Sequence, residues 1–288
     1  MRAMLLANEL IKNGHEVTIL SSSFFHQRKS FRSKNTKSII VNKKLKIILI
    51  NSCGYKKHIG VKRLLDHLIL SINLYKFLKK NKSFKPHKVF LGYPPIETSF
   101  VIIRWAKKNN IPVMLDVKDN WPENFLEPFP KYFKNIAKFF LLPYFKLAKY
   151  IFNHSDYILS ITESFINWID LFSTDKFLLK DNPKKKYLVA PLVRKKIFIG
   201  KNQSRESLSF WASKGINILK GKHFSFVGSL SNAFDFNFIY EIASFLNSYS
   251  QKYIFVICGT GEKYEKLNYM FKDLKNVFII GEVDQYSA

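Results

Sequence analysis

The sequence is poor in the residues that build metal sites and disulfide frameworks. Its 288 residues include only two cysteines, Cys53 and Cys258, and seven histidines. The cysteines lie far apart and match no metal or redox spacing, so a disulfide framework or a zinc site is not expected and a reducing cytosol is the default. The histidines fit no Ser-His-acid arrangement, and we expect neither a metal nor a cofactor.

Long uncharged apolar runs are also missing. A membrane-spanning helix needs about 18 such residues, and the longest candidate, residues 136–152, is interrupted by Lys138, Pro143, Lys146 and Lys149. The opening segment MRAMLLANELIKNGHE lacks the apolar core and small-residue cleavage site of a secretory signal. We therefore expect a cytoplasmic protein, with peripheral attachment to the inner face of the cell membrane as an option.

Acidic residues are scarce. The chain has 21 Asp and Glu against 47 Lys and Arg, for a net charge of +26. Such a charge favours a polyanionic partner, and nucleic acid, anionic lipid and phosphorylated substrates all qualify. A bias toward Lys, Asn, Ile and Phe, as in an AT-rich genome, explains the charge equally well. The 47% hydrophobic content excludes global disorder.

What the sequence does have is a regular alternation of helical and strand patterns. Short strands that are apolar on both faces, separated by helices, are typical of a parallel sheet covered on both sides. Strands are predicted at 16–23, 46–52, 88–94, 112–117 and 156–162, then at 223–230, 252–258 and 276–283. Helices are predicted at 2–13, 61–80, 98–109, 131–152 with a break at Pro143, 236–249 and 264–274.

The break in this pattern predicts two Rossmann-like, doubly wound α/β domains. We expect the first domain at 1–195, a linker at 196–222 and a second domain at 223–288. The first domain opens on a helix, and the second has room for three strands where five or six are usual. We therefore expect both domains to be incomplete.

Two glycine turns follow consecutive strands of the second domain. Ligands bind beyond the carboxyl ends of strands in such sheets. One turn contains Gly228 and Ser229, and the other contains Gly259, Gly261 and Glu262. Backbone N–H groups in such turns can bind phosphate, but a plain tight turn would need the same glycines. Both interpretations stay open.

An acid-rich segment, LDVKDNWPENF, follows a predicted strand of the first domain. It contains Asp116, Asp119, Trp121 and Glu123, which are candidates for a catalytic or acceptor-binding loop or for a loop that Trp121 simply anchors. Thr162 follows the next strand, and capping of a helix is its simplest role.

Taken in order, these segments resemble the family 4 retaining glycosyltransferases of the GT-B fold, and within them the bacterial O-antigen and capsule transferases similar to the fucosamine transferase group. Arg2 and LANELIKNGHEVTILSSS look like the family's first helix and second strand, and PVMLDVKDNWPE is similar to D-x-[RK]-D-x-W-P-E. SDYILSITESF looks like the end of the acceptor domain. FSFVGSL, FVICGTGEKYEKL and KNVFIIGEV look like the start of the donor domain.

The resemblance implies transfer of a sugar, with retention, from a nucleotide sugar, expected to be UDP-linked, to a polyprenyl-linked or oligosaccharide acceptor of lipopolysaccharide or capsule synthesis. It places Asp119, or less favourably Asp116, opposite the sugar. The other implied site residues are Gly228, Ser229, Gly259, Gly261 and Glu262 around the diphosphate, Gly281 to Val283 near the base, and Arg2, Trp121, Glu123 and Thr162 on the acceptor side. The family's first strand and its Glu-x7-Glu motif have no counterpart here, so we expect these 288 residues to have little transferase activity.

Two alternatives remain at this stage. A basic α/β protein that binds nucleic acid or membranes without catalysis would use the segment Lys131–Tyr150 as its footprint. A UDP-sugar epimerase of the same fold would need a carboxylate and histidine pair, which the sequence does not identify. We expect no nucleic acid partner. Besides the nucleotide sugar and the acceptor, the candidate partner is an anionic membrane surface.

Overall fold

The computed structural model of the protein describes residues 2–56, 60–127, 129–172, 186–192, 199–231, 234–249 and 252–284. The chain divides into two compact units, Met1–Lys195 and Lys196–Ala288, here called unit 1 and unit 2. Each unit contains a parallel sheet with helices between its strands.

Unit 1 contains six α-helices and nine strands among its described residues. The helices are α1 (Arg2–Lys12), α2 (Val61–Lys80), α3 (Ile96–Lys108), α4 (Lys134–Phe140), α5 (Leu142–His154) and α6 (Glu163–Phe172). The strands are β1 (Val17–Ser22), β2 (Phe24–Phe25), β3 (Ser30–Phe31), β4 (Lys37–Asn42), β5 (Leu45–Ile50), β6 (Val89–Tyr93), β7 (Val113–Val117), β8 (Tyr157–Ser160) and β9 (Lys186–Val189). Short 3-10 helices span Glu123–Leu126 and Lys131–Phe133.

The strands of unit 1 form two principal sheets. One has the order β6-β7-β8-β9 and is parallel throughout. The other has the order β1-β5-β4, in which β1 is parallel and β4 antiparallel to β5. A two-stranded hairpin, β2-β3, stands apart from them. The predicted α/β class with parallel sheets is confirmed, and the antiparallel β4 is an addition that the alternation did not predict.

The largest core of unit 1 covers one face of the β6–β9 sheet, the face that carries Leu91, Leu115 and Ile158. Strand β7, with the sequence VMLDV, has four of its five residues buried. Helices α3, α5 and α6 pack against it with fully buried side chains such as Ile103, Phe152 and Ile169. Burial of such side chains contributes about 1.5–3 kcal/mol each, so this sheet fixes the position of the turns that follow β6, β7 and β8.

Unit 2 contains helices α7 (Lys201–Ser213), α8 (Asn237–Tyr249) and α9 (Tyr264–Met270) and strands β10 (Lys222–Val227), β11 (Tyr253–Cys258) and β12 (Val277–Gly281). The strands form a parallel sheet in the order β10-β11-β12. Helix α7 lies within the residues expected to be a linker, and its Trp211 packs with Ile216, Val256 and Cys258.

Candidate functional site

The turn after β7 carries the first catalytic candidate, Asp119, as an exposed residue. Partial burial of the carboxyl group raises the pKa of Asp119, and the cations Arg63 and Lys118 act in the opposite direction. A carboxylate with a raised pKa beside two cations can accept a proton or bind a hydroxyl group. Whether Asp119 does so stays a prediction.

Asp116, the second catalytic candidate, lies at the end of β7 with a fully buried side chain. Its carboxylate oxygens are 3.2 Å from Arg2 Nη2 and 3.2 Å from Lys118 Nζ. Arg2 also donates a hydrogen bond of 2.9 Å to the Ala190 carbonyl oxygen. Through these two contacts, Arg2 joins the start of α1 to Asp116 at the end of β7 and to Ala190 just after β9.

The acceptor-side candidates Trp121 and Glu123 are held by neighbouring side chains. Trp121 is 5% exposed, and its carbonyl oxygen accepts a hydrogen bond of 2.6 Å from the Tyr93 hydroxyl. Glu123 accepts a hydrogen bond of 2.7 Å from Trp168 Nε1. Thr162 is exposed directly before α6, where its N–H donates to the Ser160 hydroxyl. Trp121 thus anchors the loop that presents Asp119.

A histidine and carboxylate pair, which sequence reasoning missed, lies beneath this loop. His67 Nδ1 of α2 is 3.8 Å from Glu97 Oε2 of α3, and both side chains are over nine-tenths buried. Glu97 also accepts a hydrogen bond of 2.8 Å from the Tyr144 hydroxyl. Sequence reasoning could not find the pair because its members lie far apart in the sequence, with His67 after β5 and Glu97 after β6.

The environment of this pair shifts both groups toward their neutral forms. Burial, with a contribution from Arg63, lowers the pKa of His67 to about 4. Burial also raises the pKa of Glu97, against opposing effects of its hydrogen bonds and of Arg63. The His67 ring lies 5.6 Å from the Trp121 ring, and the Arg63 guanidinium lies 4.8 Å above that same ring. Asp119, Trp121 and the His67–Glu97 pair therefore form one polar cluster at the carboxyl ends of the strands.

In unit 2, the two glycine turns pack directly against each other. A Cβ atom on Gly259 would lie 1.8 Å from the Gly228 carbonyl oxygen, and one on Gly261 would lie 2.5 Å from the Leu230 carbonyl oxygen. The φ angles of these glycines are +140° and +158°, in a region where other residues are strained. Gly259 and Gly261 are therefore required for packing, whatever they bind.

The same turns limit which N–H groups remain for a ligand. Gly228 N–H donates to the Cys258 carbonyl oxygen, and Gly259 N–H donates to the Gly281 carbonyl oxygen. Ser229, Gly261 and Glu262 are exposed beside them. Val283, the last of the predicted base-side residues, packs against the cluster that contains Trp211. The turns after β10, β11 and β12 are thus adjacent, as the predicted nucleotide site needs.

Metal-binding clusters of three or more His, Cys, Asp or Glu are absent from the residues that the structure describes. Within the same residues, no helix combines the length and apolarity required to cross a membrane.

No protein-family model and no curated protein sequence matches this chain. Solved structures do match. The catalytic domain of starch synthase IV from Arabidopsis thaliana, bound to ADP and acarbose, has a TM-score of 0.59 at 11% identity, over 98% of this chain and 70% of that one. The fold is GT-B.

Two further structures agree with the GT-B fold. WaaG, a glycosyltransferase involved in lipopolysaccharide biosynthesis, has a TM-score of 0.53 at 12% identity, over 99% of this chain and 66% of that one. A UDP-forming α,α-trehalose-phosphate synthase from Burkholderia vietnamiensis has a TM-score of 0.50 at 8% identity, over 91% and 68%. A match to Anabaena Alr3699/HepE spans 56% of that protein. This chain thus spans 56% of HepE and 66–70% of the other three proteins, whose likeness shows the fold.

Proposed function

We propose that the chain belongs to a glycosyltransferase of the family 4 type, which moves a sugar with retention from a UDP-sugar to a lipid-linked or saccharide acceptor in cell-surface polysaccharide synthesis. One observation carries this proposal. The glycine turns after β10 and β11 are adjacent in a unit of GT-B fold, and the hydroxyl of Ser229 and the backbone of Gly261 are exposed there.

The donor side of the proposal places the diphosphate at these turns. A Cβ atom on Gly228 would meet only the Phe226 ring, at 3.4 Å, so no backbone atom closes this position. The Gly228 and Gly259 N–H groups already donate to protein carbonyls, so the proposed ligand contacts are Ser229 and the exposed backbone of Gly261. Electrostatic stabilisation of the leaving diphosphate is the main catalytic contribution expected of such a site.

The acceptor side of the proposal rests on the polar cluster of unit 1. Asp119 is the exposed carboxylate of that cluster, and the cations Arg63 and Lys118 act to lower its pKa. We assign Asp119 the contact with the acceptor or the transferred sugar. Asp116 and Trp121 are assigned the role of holding the loop, because both are buried and bonded.

A surface around α4 supports attachment to an anionic membrane at the inner face of the cell membrane. Here it is called the aromatic surface, and its apolar members are all at least 44% exposed: Phe129, Tyr132, Phe133, Ile136, Phe139 and Phe140. Residues 131–154 contain five lysines and no acidic residue. A nearby cavity of about 250 Å³ is lined by Lys138, Lys146 and Lys149 together with apolar side chains and Glu123. Apolar side chains flanked by lysines are typical of surfaces that bind anionic lipid.

Product analysis tests the catalytic proposal. The full chain is incubated with a panel of UDP-sugars and polyprenyl diphosphate-linked saccharides, and products are followed by mass spectrometry and by NMR of the new anomeric proton. The proposal expects only a small amount of α-linked product from an α-linked donor, matched by UDP release, in keeping with the little activity expected of these 288 residues. An epimerised UDP-sugar without transfer would instead assign the His67–Glu97 pair to an epimerase. UDP binding without any product would support only the donor-side assignment.

Vesicle flotation tests the membrane proposal with a matched control. Replacing Lys131, Lys138 and Lys146 with Gln removes three exposed charges from the aromatic surface, and replacing Lys76, Lys79 and Lys80 with Gln removes three from α2. Each basic residue near an anionic surface contributes about 1 kcal/mol, so the first triple variant should bind phosphatidylglycerol vesicles about a hundredfold more weakly. The α2 variant should bind nearly as wild type. Equal weakening would indicate a net-charge effect, and stronger retention by nucleic acid than by vesicles would favour the nucleic-acid alternative.

A further inference from the structure

Acidic residues are absent from one long stretch of unit 1. Residues 17–65 contain 12 Lys and Arg and neither Asp nor Glu. Asp66, the first acid after this stretch, is 3% exposed, and its carboxylate accepts a hydrogen bond from the Gly54 N–H. The segments that follow β1 and β5 therefore carry a strong excess of positive charge.

The β2-β3 hairpin packs against the loop after β5. The rings of Phe24 in the hairpin and Tyr55 in the loop have centroids 5.1 Å apart. A Cβ atom on Gly54 would lie 2.9 Å from the Phe24 ring, so the hairpin and the loop are in close contact. Arg32 fastens the hairpin to the end of β1 by donating a hydrogen bond of 2.8 Å to the Ser22 carbonyl oxygen. The hairpin thus lies at the carboxyl ends of β1 and β5.

Two cations of this region lie over the same aromatic ring. Lys29 Nζ, in the hairpin, is 4.4 Å from the centre of the Tyr55 ring, and the Arg63 guanidinium at the start of α2 is 5.9 Å from it. Burial, and after it the charge of Arg63, lowers the pKa of Lys29. Two positive charges held together in this way repel each other. An anion that contacts both would relieve that repulsion and accept charge-assisted hydrogen bonds.

The backbone of Lys29 is in an unusual conformation. Its φ angle is +50°, in the left-handed region that disfavours any residue with a side chain other than a short polar one. Glycine would adopt the same angle without this cost. Residues held in such conformations are typical of ligand-binding sites. The position of Lys29 therefore favours a binding role over a purely structural one.

Arg63 connects this pair of cations to the loop that presents Asp119. Its guanidinium lies 4.8 Å above the Trp121 ring, and the Trp121 N–H donates a hydrogen bond of 2.9 Å to the Asp119 carbonyl oxygen. A second anion bound by Arg63 would be repelled by the Asp119 carboxylate. It is therefore expected on the side of Arg63 that faces Lys29, next to the Asp119 loop.

We propose that Lys29 and Arg63 bind a phosphate group of the acceptor. The assignment rests on the acceptor role proposed for unit 1, and it narrows the acceptor to the phosphate-bearing, lipid-linked class as opposed to neutral oligosaccharides. The Arg63 guanidinium offers a planar set of N–H donors, and the Lys29 ammonium offers a compact charge. Both would donate hydrogen bonds to the phosphate oxygens.

Three variants of the full chain test this site. Lys29→Gly removes the cation and suits the left-handed backbone, so a loss of binding cannot be attributed to new strain. Arg28→Gly removes the same charge from the exposed neighbouring position of the hairpin. Lys29→Arg keeps the cation. Titration calorimetry with geranyl diphosphate, and with geraniol as the phosphate-free control, is combined with thermal unfolding of each variant.

The proposal expects a specific loss in Lys29→Gly. Removing one hydrogen-bonding charge should weaken geranyl diphosphate binding at least about tenfold, while the unfolding temperature stays the same or rises. Arg28→Gly and Lys29→Arg should bind geranyl diphosphate nearly as the wild type does. Geraniol should not distinguish the wild type from Lys29→Gly.

Three results would overturn the proposal. The first is unchanged geranyl diphosphate binding in Lys29→Gly, whatever its stability. The second is equal weakening in Lys29→Gly and Arg28→Gly, which would indicate a net-charge effect. The third is tighter binding of a single-stranded oligonucleotide than of geranyl diphosphate, with the same dependence on Lys29, which would assign the cations to nucleic acid.

The donor side of the proposed function is tested separately. Lys29→Gly should leave UDP binding unchanged, and Gly228→Ala should leave geranyl diphosphate binding unchanged. A lack of UDP binding would remove the donor-side assignment, and the Lys29 result would still decide the phosphate site. Weaker geranyl diphosphate binding in Gly228→Ala but not in Lys29→Gly would place the diphosphate in unit 2 and contradict the proposal.

Discussion

Alanine substitutions in the two packed glycine turns of unit 2 distinguish a packing role of a glycine from a nucleotide-binding role. An added Cβ would lie 1.8 Å from the Gly228 carbonyl oxygen if placed on Gly259. Placed on Gly228 itself, it would meet the Phe226 ring at 3.4 Å, and the φ angle of Gly228 is not in the left-handed region. Alanine at these two positions should therefore affect stability very differently.

The expected magnitude for Gly259→Ala follows from two sources of strain. A residue with a side chain held at φ +140° costs about 1–3 kcal/mol. Displacing a backbone carbonyl adds an overpacking penalty of about 1–3 kcal/mol. For a unit of this size each kcal/mol lowers the unfolding temperature by about 4–8 °C, so a loss of at least about 10 °C is expected. Gly228→Ala should change stability by less than about 1 kcal/mol.

Scanning calorimetry combined with hydrogen exchange of β10 and β11 measures both effects. If Gly228 borders the diphosphate, Gly228→Ala should weaken UDP binding at least about tenfold while unit 2 unfolds at nearly the wild-type temperature. Equal unfolding temperatures for Gly259→Ala and Gly228→Ala would refute the packing argument. Unchanged UDP affinity in Gly228→Ala would remove that turn from the proposed nucleotide site.

Three other predictions concern unit 1. The pKa of His67 is about 4 in the folded chain against 6.5 for the free group. The unfolded chain therefore binds more protons than the folded chain as pH falls from 6.5 toward 4, and about 3 kcal/mol of stability should be lost over that range. His67→Gln should flatten this dependence of stability on pH, measured by urea titrations at pH 4.5 to 7. Asp119→Asn should lower turnover far more than donor binding, and unchanged turnover would show that the carboxylate does not act in the reaction. Asp116→Asn should lower stability by up to about 3 kcal/mol by leaving Arg2 and Lys118 without their buried partner, with UDP affinity unchanged.

Most of the fold follows from short-range patterns in the sequence. Helix α2 has the predicted limits Val61–Lys80, and the predicted strand at 112–117 is present as β7, an interior strand of its sheet. The predicted break at Pro143 is present too, with the two helices meeting at residues 140–142. Proline there lies in the first turn of α5, where a missing N–H is tolerated.

The features that sequence reasoning missed depend on contacts between distant segments. Strand β4 was not predicted because all six of its residues are exposed. Its sequence therefore shows no alternation of apolar and polar residues that would indicate a half-buried strand. The His67–Glu97 pair joins two helices, and no spacing along the chain indicates it. For Trp121 the sequence left an acceptor-side role and an anchoring role open, and only the surrounding core, in which Trp121 is 5% exposed, favours anchoring.

Binding of UDP is the most direct test of the central claim that unit 2 holds a nucleotide sugar. Isothermal titration calorimetry of the full chain with UDP, ADP and several UDP-sugars should show a single site for UDP and at least one UDP-sugar, weakened in Gly228→Ala and unaffected in Asp119→Asn. An absence of binding for every nucleotide tested, in protein whose unfolding transition is intact, would contradict the proposed function.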